Sequence, residues 1–150
     1  MTKEFYLELI QKMDLLIVNE YEELEKLNSL AEKITQENDG MPHASGTSDK
    51  VGNTSVKIVM KQQEIAETIS LCIDLRDEII GQIKKLHKDE YDVLYKYYAL
   101  DMGIFEIADV KIKSDSWVKK IKKRGLKNIE IVESVALKKI LKIVTKSTPK

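Results

Sequence analysis

The sequence predicts an all-α protein: a long, coiled-coil-like helical hairpin over residues 1–88, then a helix-turn-helix module and a C-terminal helix over residues 89–150. Three observations carry this. The 150 residues include only 2 Pro and 6 Gly, and they are rich in Leu, Glu and Lys, which lose little rotamer freedom in a helix. Aromatic residues are scarce at 6%, which argues against a β-sandwich. Two long stretches place apolar residues at alternating steps of four and three, the mark of a helical seam.

The first seam lies in a helix expected over residues 3–36. Tyr6, Ile10, Met13, Ile17, Glu20, Leu24, Leu27, Ala31 and Ile34 follow the step, and Glu20 alone among them is polar. A seam of this length needs a partner helix, from the same chain or from a second copy. Residues 37–54, ENDGMPHASGTSDKVGNT, break the pattern with Gly, Pro, Asn and Asp and read as a loop. His43, Asp39 and Asp49 there lack the fixed spacing of metal ligands, so no metal site is expected. GTSDK lacks the order of a phosphate-binding loop.

The second seam, in a helix expected over residues 55–87, runs Ile58, Gln62, Ile65, Ile69, Cys72, Arg76, Ile79, Ile83, Leu86. The simplest packing is an antiparallel hairpin with residues 37–54 at its tip. Cys72 is the only cysteine. It excludes an intrachain disulfide and reads as a buried structural thiol.

A new helix is expected from Asp89, read as its N-cap, through DEYDVLYKYYALD, with Val93, Leu94, Tyr97 and Tyr98 forming a core face. Met102 and Gly103 break it. Ile104, Phe105, Ile107, Ala108 and Val110 make a short amphipathic helix. Ser114 is a suitable N-cap for the next, with Asp115 in its first turn. That helix should bury Val118 and Ile121, with Gly125 and Leu126 as further candidates, and Gly125 would let another helix approach closely. Residues 129–144 are expected to continue as helix, docking Ile131, Val135, Leu137, Leu141 and Val144 on the hairpin or on another copy.

Charge separates the two halves. Residues 1–100 carry 12 Lys+Arg against 19 Asp+Glu, whereas residues 101–150 carry 13 against 6. The net charge of zero therefore hides a basic C-terminal third, which signals a polyanionic partner. Six of the nine positions from Lys119 to Lys127 are basic. On the second helix of a helix-turn-helix, such residues grip phosphates while the entering end faces base edges. The candidate DNA-binding residues are Ser114, Asp115, Ser116, Trp117, Lys119, Lys120, Lys123, Arg124 and Lys127. Trp117 is expected to be half-buried, with contact to a thymine methyl or sugar as the alternative. With His43 and His87 the only histidines and a single thiol, no nucleophile–base pair assembles. The chain reads as a non-enzyme with no catalytic residue and no cofactor. It has no run of about 18 apolar residues and so no expected membrane span.

These stretches also resemble a known family. DEYDVLYKYY, EIADVKIKS and DSWVKKIKKRGLKNI are similar to the fourth region of sigma factors, through Tyr97 and Tyr98, Ile107 and Ala108, Ser114, Val118, and Arg124, Gly125 and Leu126. The segment Gly40 to Gly52, GMPHASGTSDKVG, resembles one found in RinA and ArpU-type late-gene regulators of phages and prophages of Gram-positive bacteria. The resemblance implies a transcriptional regulator in the cytoplasm of a bacterial host cell. With the basic helix, it would bind double-stranded DNA and touch host RNA polymerase, and the long seams add the expectation of a homo-oligomer; the alternative is an adaptor that binds polymerase or another partner through a degenerate helix-turn-helix, without sequence-specific DNA binding. The family's turn has a glycine and an apolar residue before the serine, where this chain has Ile112 and Lys113. Lys111 also replaces an apolar helix residue. Grip on phosphates is therefore expected to outlast reading of bases.

Overall fold

The computed structural model describes residues 1–38 and 48–147, and the side chains of residues 1–35 and 52–145. Among these, every regular element is helical: α1 (Lys3–Asn38), α2 (Ser48–Lys84), α3 (Lys88–Leu94), which widens into a π-helical turn (Tyr95–Ala99), α4 (Ile104–Lys111), α5 (Asp115–Asn128) and α6 (Val135–Ser147). None is long and apolar enough to cross a membrane.

Helices α1 and α2 are the predicted hairpin. Gln62 Nε2 donates to Asn28 Oδ1 at 2.6 Å, and Arg76 Nε donates to Asp14 Oδ1 at 2.7 Å. In both pairs the residue numbers add to 90, as antiparallel helices require. Gln62 and Arg76, the two polar interruptions of the second seam, are thus the residues that reach across to α1. The chain divides within these helices into two compact units, Met1–Leu15 with Leu71–Lys150, and Leu16–Ser70. The first holds most of the core: Tyr6, Leu7, Ile10 and Met13 of α1 are fully buried, as are Cys72, Leu75, Ile79 and Ile83 of α2. The second buries Ile58, Ile65 and Ile69.

Several expectations need correction. Both ends of the loop expected over residues 37–54 are helical: α1 continues to Asn38 and α2 already begins at Ser48. Gly52 and Asn53, both exposed, are carried along by the helix that follows, because helix propagation is cooperative and outweighs a weak local propensity. His43, Asp39 and residues 40–47 of the family-like segment lie outside the described residues. Asp49 falls in α2. Helix α2 stops at Lys84, short of residue 87. The N-cap of α3 is His87 (φ −60°, ψ 155°), not Asp89. Asp89 and Glu90 instead occupy the first turn, where the helix dipole favours negative charge. The helix expected through residue 101 changes to π geometry at Tyr95, with Leu100 N–H bonding the Tyr95 carbonyl at 3.1 Å. Gln11 Nε2 donates to Asp101 Oδ1 at 3.1 Å, tying α1 to the turn where Asp101 takes a left-handed φ of 56°.

The continuous helix expected over residues 129–144 is also corrected. Residues 129–134 are non-helical, with Ile129 extended and buried. Ser134 then caps α6, its Oγ accepting from the Leu137 N–H at 3.1 Å and donating to Glu78 Oε2 at 2.6 Å. Among the described residues of α6, Leu137 and Ile140 are buried, whereas Val135 is exposed. The β-branched residues Ile129, Ile131 and Val132 fit an extended segment better than helix interior.

Candidate nucleic-acid interface

Helix α5 is specified locally. Ser114 Oγ accepts from the Trp117 N–H at 3.1 Å, and Asp115 follows in the first turn. The cap is worth about 1 kcal/mol. Val118, Ile121 and Gly125 are buried, and a cluster of Val118 and Ile121 with Val93, Ile107 and Ala108 joins α5 to α3 and α4. A Cβ built on Gly125 would lie 2.9 Å from Leu94 Cδ1, so a larger residue would force the Leu94 side chain to shift where α5 approaches α3. Trp117 is half-buried against the same cluster.

The turn before α5 keeps a glycine-type geometry without the glycine. Ile112 has φ 55° and ψ 50°. Its N–H reaches the Asp109 carbonyl at 3.3 Å, and the Lys113 N–H reaches the Ala108 carbonyl at 3.0 Å. These are the two bonds of a Schellman motif. A β-branched residue in this region costs about 1–2 kcal/mol, and the Ile112 side chain recovers little because it is 89% exposed. Lys111 has a physical account too. Its ammonium pairs with Asp92 Oδ2, and Lys96 Nζ donates to Asp92 Oδ1 at 2.5 Å, so one carboxylate links α4 to α3 and the π-helical turn. Burial pushes the Asp92 carboxyl up, but the two lysines outweigh it and hold the pKa below the ordinary carboxylate value.

The basic residues of α5 divide by side. Ser116, Lys119, Lys120, Lys123 and Lys127 are exposed and recur at steps of three and four, so they share the outer face. No ion pair among the described residues holds these lysines. Lys122 turns back over the Tyr97 ring at 3.9 Å. Arg124 Nε donates to Glu90 Oε1 at 2.7 Å, and Asn128 Nδ2 reaches both Glu90 oxygens at 3.3 Å. Glu90 is buried at 1% exposure, so Arg124 serves the fold. Of the nine candidate residues, five therefore form one surface, Ser114 and Asp115 build the helix start, Trp117 packs inward and Arg124 neutralises Glu90.

The surface continues onto residues the spacing of the sequence does not mark. Thr2, Lys3 and Glu4 line an open groove of about 760 Å³ together with Lys120, Lys123, Arg124, Leu126 and Lys127. Lys3 Nζ donates to the Lys127 carbonyl at 2.6 Å across 124 positions of sequence. No protein-family model matches the chain, and no curated protein or solved structure shows significant similarity to it.

Proposed function

We propose that the protein is a DNA-binding transcriptional regulator of the phage late-gene type, gripping duplex DNA through the outer face of α5. One observation carries this reading: after the fold has used Lys122, Arg124, Lys96 and Lys111 internally, Lys119, Lys120, Lys123 and Lys127 remain together on one exposed face. Four phosphate contacts would give a salt-dependence slope of about −3.6 in log K against log salt. Changing Lys120→Glu and Lys123→Glu together should weaken retention of random duplex DNA at least 100-fold in a filter-binding assay, with an unchanged circular dichroism spectrum. Equal retention by the double variant overturns the reading.

The reading includes a second copy. In Leu16–Ser70, Val18, Tyr21, Val56, Val59 and Met60 are more than half exposed while three of the described residues are buried. Tyr21 and Val59 each follow a seam position by one residue, so in an antiparallel pair they fall on the same flank. A self-complementary flank of this kind suits a two-fold dimer. Sedimentation equilibrium should give a dimer for the native chain and a monomer for Tyr21→Glu with Val59→Glu; a monomeric native chain removes this part.

The adaptor reading is favoured by a different observation. Phe105 and Ile112 are 70% and 89% exposed at the two ends of the α4 segment, and such apolar exposure suits a protein partner. Failure of the native chain to retain DNA even at low salt would select it.

A further inference from the structure

We infer that the start of α1 forms the second wall of the phosphate surface, with Lys3 holding a DNA backbone phosphate beside those held by Lys120, Lys123 and Lys127. This rests on the DNA-binding reading and extends it to a segment that is not part of the α4–α5 pair.

The groove between residues 2–4 and the C-terminal half of α5 has cations on both walls: Lys3 on one, Lys120, Lys123 and Lys127 on the other. Arg124 also lines it but is engaged with Glu90. Lys3 is exposed, and its position is set by the bond to the Lys127 carbonyl. That bond uses one of the three ammonium hydrogens and leaves two for an anion. The backbone beneath is held as well. Thr2 Oγ1 accepts from the Phe5 N–H at 3.1 Å, and the Thr2 carbonyl accepts from the Tyr6 N–H at 3.0 Å.

The geometry favours a nucleic-acid strand over a small anion. From Lys120 to Lys127 the helix rises about 10.5 Å, which matches the axial rise of about three nucleotides of one strand. Leu126 and the aliphatic stems of the lysines offer apolar surface to the sugars between phosphates. Glu4 is the single carboxylate on the groove and opposes an anion there.

The bond to Lys127 also allows a purely structural role, in which the Lys3 cation only caps the C-terminal end of α5. Salt titration separates the two. In the full chain binding random duplex DNA, Lys3→Gln should make the slope of log K against log salt shallower by about 0.9, one phosphate's worth, and lower affinity several-fold at low salt. Lys3→Arg should restore the slope. Glu4→Gln should tighten binding about threefold without touching the Lys3 contact. A lower melting temperature for Lys3→Gln with the native salt slope, or unchanged affinity for Glu4→Gln, overturns the inference. If Lys120→Glu with Lys123→Glu loses DNA while Lys3→Gln keeps the native slope, the inference fails and the DNA reading stands. A native chain that binds no DNA removes both.

Discussion

The two flanks of α5 carry the same residue types and put them to opposite uses. On the flanks that border the core, Lys122 lies over the Tyr97 ring and Arg124, though half-exposed, is spent on Glu90. Nearby, Lys96 and Lys111 are spent on Asp92. On the outer side, Lys119, Lys120, Lys123 and Lys127 have no carboxylate partner among the described residues. A count of basic residues therefore overstates the binding surface, and the ion pairs decide which cations are left for a polyanion. Buried Glu90 shows why. A carboxylate at 1% exposure has lost its hydration and needs hydrogen-bonded partners in its place, so Arg124 is not spare.

That contrast is open to test, starting with the largest effect. Arg124→Ala should cost about 2 kcal/mol of stability, because it removes a charge-assisted bond from a buried carboxylate. Random-sequence DNA affinity should fall far less than with the Lys120 and Lys123 reversals. Urea melts and filter binding on the same variant check both halves; a stable variant with lost binding would move Arg124 to the outer set.

Asp92→Asn should cost about 1 kcal/mol at neutral pH, since the link from α4 to α3 and the π-helical turn loses its charge. The Asp92 pKa is lowered by folding, so its contribution is complete above the ordinary carboxylate value of 3.8 and is lost as pH falls through the lower folded value. Melting curves of the native protein and of Asp92→Asn should therefore converge in acid. A constant gap down to pH 2 would mean that Asp92 acts without its charge.

Ile112→Gly should have the smallest effect, and the opposite sign. Relief of the left-handed β-branched residue outweighs the added freedom of the unfolded chain, for a net gain of about 0.5–1 kcal/mol. A loss of stability in thermal melts would show that the exposed Ile112 side chain contributes packing after all.

Much of the fold was legible because its signals are local. The alternating steps of four and three predicted the hairpin, and Ser114 predicted the start of α5. The small residue at Gly125 predicted a close helix approach, which Leu94 and Glu90 make. The misses are where local signals compete. Gly, Asn and Ser suggested a loop through residue 54, yet the first turns of α2 run from Ser48. Asp89 looked like a cap but lies two residues after the true one, His87, because acidic residues suit both the cap and the first turn. The apolar run after Asn128 kept a helical pattern, while its β-branched residues and Ser134 mark the break that the structure contains.

By itself, the sequence determined the helical class, most of the helices and the presence of a basic segment, since these follow from periodicity, capping and composition within a few turns of chain; of the first seam only Tyr6, Ile10 and Met13 are buried, while Ile17 to Ile34 stay partly exposed. Which cations of that segment face outward was decided only by tertiary structure. Arg124 finds Glu90 34 positions away, Lys111 finds Asp92 19 away, and Lys3 reaches Lys127 across 124. Charge compensation depends on distance in space, and no pattern along the chain encodes it.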